Sequence, residues 1–340
     1  MLAPPFLGTG HFPHPIFSLP HHSRIIVKRL GILGTFVWDT IWTLEDQAAG
    51  RPFETWGGMA YSLAAGAAAL PAGWEIVPFA KIGADLFDAA NRYLDGLGIA
   101  DRSALVSVPI PNNRVELRYT DVANRGEKMT GGVPGWTWEE LVPHLETVDA
   151  IALNFFSGFE LGLETSECVG ASFPGPVYAD LHSLFLGPPC DGARPMRRLP
   201  EWERWLAAFP TIQLNEDELR MLGESAGRPL TVADLLDLGP KTAFVTLGGE
   251  GAEYATRATD GSVATARVAP PAVPSIGDPT GCGDAWGITA FESLLAGASV
   301  PEAVAAANRL AATAYGCRGA SGLYDHLVAR REAWGPTGNG

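Results

Sequence analysis

DAIALNFF (149–156), PVYADLH (176–182), TIQLNEDELRML (211–222) and TAFVTLGG (242–249) are the stretches that decide the fold. Each opens as a short apolar or β-branched run bounded by turn residues, the pattern of a buried strand. The third continues into a helical pattern, and long Ala-rich helices follow from Ala285 to Gly316. Strand–helix alternation of this kind predicts a parallel sheet covered on both faces. Working outward, RIIVKRLGILG (24–34) reads as a buried first strand and WEIVPFAKIG (74–83) as another. GGMAYSLAAGAAAL (57–70) is a helix of almost wholly small residues, so it must pack closely against a neighbour. DLFDAANRYLDGLGI (85–99) is an amphipathic helix. The fold class is therefore α/β, a three-layer α/β/α sandwich around a mostly parallel sheet. Polar strand patterns near 39–56 and 107–130 do not fit the alternation and predict a small separate sheet, a β lid. One domain is expected over residues 25–330. Residues 1–24 and 331–340 are expected to be flexible tails. His11, His14, His21 and His22 lie in the first tail, where no periodicity fixes their geometry.

The chain has 340 residues, 46% hydrophobic and 18% charged, with a formal net charge of −14. That length supports a large core. A nucleic-acid binder needs a basic face to neutralise phosphates, and no Lys/Arg run is present. The acidic balance likewise opposes an anionic membrane surface and favours a small-molecule partner. Four cysteines, Cys168, Cys190, Cys282 and Cys317, form no CxxC pair and read as free thiols of a cytoplasmic protein. The longest small-apolar stretch, 59–70, is far short of the ~20 residues that span a bilayer.

GDPTGCGDAWGITAFESLLAG (277–297) carries the chemistry. A Gly-rich turn runs straight into an apolar helix, with Gly281 and Gly283 around Cys282 and Asp284 at the helix start. The first amides of a helix are unpaired and carry partial positive charge. Glycines let that backbone approach an anion closely. The amides of Gly281, Cys282 and Gly283 therefore suit a transferring phosphoryl group, and Asp284 beside them suits the role of base toward an attacking hydroxyl. An ordinary helix cap and turn is the plainer reading of the same residues. The second acid, Asp278, and the helix behind favour function.

DPTGCGD resembles the signature of the ribokinase-like (PfkB) carbohydrate kinases, and weaker pieces resemble the same family in the same order over about residues 30–325. What the resemblance implies is an ATP-dependent phosphotransferase acting on a hydroxyl of a sugar or sugar-like molecule. GTFVWD (34–39) would end in an acceptor-binding Asp39, and WGGMAYSLA (56–64) would touch the acceptor through Gly57, Gly58 and Ser62. LNEDEL (214–219) would place Asn215 and Glu218 near Mg²⁺, with Asp278 a further candidate for metal. TLGGEGA (246–252) would follow the nucleotide phosphates through Thr246, Gly248 and Gly251. Asn308, in AAANRLAATAYGCRGA (305–320), would lie beside the adenine. Asp180, at a strand end, is open between metal or phosphate placement and a structural role. Asn215 and Glu218 also stand at capping-box distance, which explains the pair without a metal. The cofactor is Mg²⁺ carried with ATP, and members with a monovalent cation hold it near the 278–281 loop. An edge of the lid is where a second copy could pair.

The chain departs from the family at three places. Ser62 stands where the family usually has Asn, offering one hydroxyl in place of an amide. Pro279 removes a free amide beside the monovalent-cation loop. Cys282 stands where Ala is commoner. Competing readings fail on context. No GxxxxGK[ST] is present. GESAG (223–227) spells a nucleophile elbow at Ser225 but follows a helical pattern where a strand is needed. A non-catalytic nucleotide- or sugar-binding regulator on the same fold is the alternative, since fold alone does not give function.

Overall fold

The computed structural model describes residues 27–120, 125–187, 192–272 and 277–335. The N-terminal histidines, Cys190, the whole expected tail 1–24 and residues 336–340 of the other lie outside them. The first element among them is β1 (Lys28–Leu33), which turns at Gly34–Thr35 into β2 (Phe36–Trp42). Next come α1 (Leu44–Ala49), β3 (Phe53–Gly58), α2 (Met59–Ala69), β4 (Trp74–Gly83) and α3 (Phe87–Gly96). β5 (Leu105–Val108), β6 (Arg114–Tyr119), β7 (Arg125–Thr130) and α4 (Trp138–Leu145) complete the first half. The second half alternates: β8 (Ala150–Asn154), α5 (Leu163–Ser172), β9 (Val177–Asp180), α6 (Trp202–Ala207), β10 (Thr211–Asn215), α7 (Glu216–Ala226) and β11 (Thr242–Thr246). A hairpin, β12 (Ala252–Arg257) and β13 (Val263–Val268), precedes α8 (Cys282–Leu295), α9 (Val300–Ala314), α10 (Leu323–Val328) and α11 (Arg331–Trp334).

Nine strands form the main sheet in the order β13-β12-β11-β10-β9-β8-β1-β4-β5. All of its pairings are parallel except those of the β12–β13 hairpin at one edge. The order reverses at β1, which lies between β8 and β4. A reversal of this kind opens a crevice at the carboxyl ends of the strands. One face of the sheet packs on α4–α7 through residues such as Leu141, Val169, Leu206 and Leu222. The other packs on α2, α8 and α10 through residues such as Leu63, Ile288 and Leu327. The three layers expected from the alternation are thus present. The small residues of α2 serve the close packing they predicted, since Gly66 leaves room for the Glu292 side chain of α8.

Four strands form a second sheet, β3-β2-β6-β7, built from the two stretches that broke the alternation. Its composition differs from the expectation in two places. Residues 44–49, read as part of an alternating pattern, are helical, because Thr43 and Asp46 close a capping box. Leu105–Val108 leaves the lid and extends the main sheet beside β4. At the other end, residues 331–334 of the expected tail are helical, with Trp334 buried and its Nε1 donating to the Leu327 carbonyl (2.9 Å).

Candidate active site

The turn before α8 is built around Gly281, the N-cap, whose φ of 78° is left-handed. A Cβ there would lie 2.0 Å from the Tyr61 ring, so glycine is required both for conformation and for space. Upstream, Asp278 Oδ1 accepts from the Thr280 amide (2.9 Å), and the Asp278 amide donates to the Tyr315 carbonyl (2.9 Å). The Cys282 amide donates to the Pro279 carbonyl (3.1 Å). Of the three amides expected to face an anion, this one is already engaged in the turn. Burial pushes the Cys282 thiol up to about 12, with the charges of Asp278 and Asp284 adding to it, so the thiol stays neutral.

Asp284 lies in the first turn of α8. Its Oδ1 accepts from Asn154 Nδ2 (3.0 Å), and the same Nδ2 donates to Ser62 Oγ (3.1 Å). Asn154 ends β8, so the strand on one side of the switch point orients the acid of α8. Burial raises the Asp284 carboxyl, while the Asn154 hydrogen bond and the charge of His182 pull it back, leaving it at about 6. That value keeps the acid ionised at neutral pH yet basic enough to accept a proton. Ser62, the departure from the family pattern, does not face Asp284 alone: the Asn154 amide stands between them.

A second set of polar groups closes the site from β9 and β10. Gln213 Nε2 donates both to Asp180 Oδ2 (3.1 Å) and to the Gly283 carbonyl (3.1 Å). Its Oε1 accepts from Tyr178 OH (2.8 Å). Asp180 is thereby held against the first turn of α8. Burial, then the nearby charges of Asp284 and Glu218, push Asp180 up to about 8. Glu218 is 1% exposed and caps α7 together with Asn215, as the capping-box spacing implied. Its Oε1 also meets His182 Nδ1 at 2.5 Å. The His182 side chain is half-exposed; desolvation by the groups around it lowers the imidazole, but the carboxylates Glu218, Asp180 and Asp284 outweigh this and hold it up at about 9. His182, Asn154 and Gln213 were missed in the sequence reading. Asn154 ends β8, His182 follows β9 and Gln213 lies within β10, all strands that the alternation had located, and that placement was the available signal.

The residues expected to meet an acceptor lie on β2 and β3. Asp39 is buried, and a Cβ at Gly57 would lie 1.9 Å from its Oδ2. Gly58 has φ 62°, and a Cβ there would strike the Thr35 carbonyl at 2.2 Å. The Gly-Gly pair thus lets two strands meet where the lid leaves the main sheet. Of the residues expected to follow a nucleotide, Thr246 ends β11 and its hydroxyl donates to the Leu214 carbonyl (3.4 Å). Gly248 and Gly249 have open space around their Cα atoms. Asn308, expected beside the adenine, has its amide engaged within the protein: Oδ1 accepts from Trp286 Nε1 (2.7 Å) and Nδ2 donates to the Val268 carbonyl (2.9 Å). It joins α8, α9 and β13. Ser225 donates to the Met221 carbonyl inside α7 (3.1 Å), which removes the hydrolase reading.

Arg194 ties the lid to this site. Its guanidinium is almost fully covered; one nitrogen donates to Glu127 of β7 (3.1 Å) and the other to the Ser157 carbonyl (2.6 Å). The Met129 amide donates to the Gly192 carbonyl (2.7 Å), so the chain before Arg194 lies along β7. A cavity of about 520 Å³ between α7 and the β11–β12 edge contains none of the residues above. Among the described residues, no three His, Cys, Asp or Glu side chains are grouped to hold a metal.

A three-layer α/β/α sandwich with a crevice at its switch point and a separate β lid is a ribokinase-like fold. Residues 193–326 match the model of the pfkB family carbohydrate kinases, so the resemblance carried by DPTGCGD holds. The ribokinase of Thermotoga maritima is 18% identical, with TM-score 0.68 over 89% of this chain and 98% of that one. A nucleoside kinase of Burkholderia thailandensis, solved with inosine, is 18% identical, with TM-score 0.67 over 90% and 98%. The ribokinase of Arabidopsis thaliana, solved with ribose and ATP, is 18% identical, with TM-score 0.63 over 87% and 95%. At that identity the solved structures show the fold. A search of curated protein sequences finds no match.

Proposed function

We propose that this protein transfers the γ-phosphoryl of ATP to a hydroxyl of a small sugar-like acceptor, with Asp284 as the base. The observation that carries it is the Asn154–Asp284 hydrogen bond at 3.0 Å, beside the Gly281–Gly283 turn. The bond aims an acid, raised to about 6, at the place where helix amides would meet a phosphoryl group. Asp39, Gly57 and Gly58 hold the acceptor from the lid side. The open backbone at Gly248–Gly249 and the turn to Gly251 let ATP phosphates lie against main-chain amides. Asn308 supports that wall by fixing β13 to α8 and α9.

Mg²⁺ enters with ATP as part of the substrate. Oxygen ligands and retained water suit it, and one or two carboxylates suffice when phosphates supply the rest. Asp180 and Glu218 are such carboxylates, buried between β9 and α7 beside the turn. Asn215 is occupied with capping α7 and Asp278 with the Thr280 turn. When bound, the ion neutralises phosphate charge, and His182 adds a protein cation in an otherwise acidic site.

Coupled ADP release, run with and without a panel of sugars, polyols and nucleosides, tests the assignment. Release that requires one hydroxylated acceptor, with a phosphorylated product, is expected. Binding of ATP with no acceptor-dependent release would favour the non-catalytic regulator.

A further inference from the structure

The lid carries a row of cross-strand neighbours: Thr55 on β3, Asp39 on β2, Val115 on β6 and Met129 on β7. Paired residues share a face of a sheet, so Met129 points to the side on which Asp39 meets the acceptor. The two are separated by two strand spacings, about 10 Å. That is wider than a single sugar ring. At the Met129 end lies a cavity of about 340 Å³. Asn113, Met129, Thr130, Val133, Pro134 and Phe159 line it, together with the backbone of Gly131 and Gly132.

Its far wall belongs to the catalytic layer. Phe159 follows β8 by five residues, on the loop that begins at Asn154, the group that orients Asp284. The ring is 42% exposed, unusual for a phenylalanine in this chain. It is nevertheless fixed. Its amide donates to Ser157 Oγ (3.0 Å), and the Arg194 guanidinium lies 6.0 Å from the ring centroid. A held aromatic ring with an open face, opposite Met129, Val133 and Pro134, suits a flat apolar group. Asn113 Oδ1 accepts from the Val133 amide (3.1 Å). Among the described residues no partner takes its Nδ2, which leaves a donor for a ring heteroatom or carbonyl.

Resting on the kinase reading above, we propose that the acceptor is a nucleoside: a hydroxylated ring held by Asp39, with a planar heteroaromatic base between Phe159 and Met129. A free pentose would satisfy Asp39 and leave the cavity unfilled. The pocket thus acts on specificity and not on the phosphoryl step itself.

The matched test compares ribose with guanosine, inosine, cytidine and uridine, which add a base to the same pentose. With ADP release as readout, at least one nucleoside should exceed ribose in kcat/KM by roughly 100-fold, the order that filling one pocket supplies. Phe159→Ala should cut that ratio about tenfold. Val133→Trp, which fills the cavity from the opposite wall, should cut it as well, and serves if the Phe159 variant does not fold. Ribose equal to every nucleoside, or a ratio unchanged in the variants, overturns the proposal. Should nothing release ADP, calorimetric binding of the same compounds decides it. Nucleoside binding weakened by both variants would keep the pocket and sink the kinase reading. Equal or absent binding of all five would sink the pocket.

Discussion

The carboxyl edge of the main sheet and the four-stranded lid are built on opposite terms. At the sheet edge every catalytic candidate ends a strand or opens a helix: Asn154, Asp180, Asn215, Thr246 and Asp284. Their side chains are locked by one another. Asn154 links Ser62 to Asp284, Gln213 links Asp180 to Gly283, and Glu218 links Asn215 to His182. The lid has its own small apolar cluster, Val37, Ile41, Val115, Leu117 and Met129. It is tied to the rest through its roots at Gly57–Gly58, through Arg194, and through Arg318, which pairs with Asp46 and covers the Phe53 ring. On the proposed reading, the sheet edge is preorganised for phosphoryl transfer and the lid chooses and encloses the acceptor.

Substitutions should separate the two regions. The largest effect belongs to the sheet edge. Asp284→Asn keeps shape and removes the base, so turnover should fall about 10³-fold, within the range for positioned acid–base groups. Nucleotide affinity, read by calorimetry, should change little. Next comes Gly281→Ala. The new Cβ would meet the Tyr61 ring at 2.0 Å in a left-handed turn, so both turnover and thermal midpoint should drop. Loss of turnover alone, with the midpoint unmoved, would mean the turn relaxes freely.

Arg194→Ala addresses the lid. It removes the link between Glu127 and the Ser157 carbonyl. ATP hydrolysis without acceptor should rise relative to transfer, by about tenfold, because the lid no longer excludes water. Arg194→Lys should restore part of the coupling. An unchanged ratio in both variants would make Arg194 a mere strut.

The smallest effect concerns Glu292, on α8 but outside the site. It is 1% exposed, neither oxygen has a partner among the described residues, and burial holds its carboxyl well above the usual range. An acid raised in the folded state contributes stability that is lost as pH rises above the unfolded value, about 4.3. Glu292→Leu should therefore raise the midpoint, by roughly 1–2 °C per kcal/mol for a chain of 340 residues, and more at pH 8 than at pH 5. A gain independent of pH would show that packing, not charge, is the cause.

The two regions also differ in how far the sequence revealed them. The parallel sheet was legible because each strand is a continuous apolar run and the helices between them keep a 3.6 period. Asp284 and its turn were legible because glycine, acid and apolar helix are contiguous. The lid was visible only as a break in that pattern. Its strands are short and half polar, and the α1 capping box at Thr43 and Asp46 interrupts them. Asn154 and His182 could not be read as partners of Asp284 and Glu218. Those pairs lie 130 and 36 residues apart, and only the sheet order brings them together. Asn308 shows the reverse: a helix asparagine suited to a nucleotide is spent on Trp286 and Val268.

The dependence of kcat/KM on pH, measured for wild type and for Asp284→Asn, bears most directly on the claim that an ionised Asp284 takes the acceptor's proton. With its carboxyl at about 6, wild type should lose activity tenfold per unit below that pH and level off above it, and the residual rate of the variant should show no such break. A wild-type profile flat from about pH 5 to 8, or a variant that keeps the same break, would place the base elsewhere.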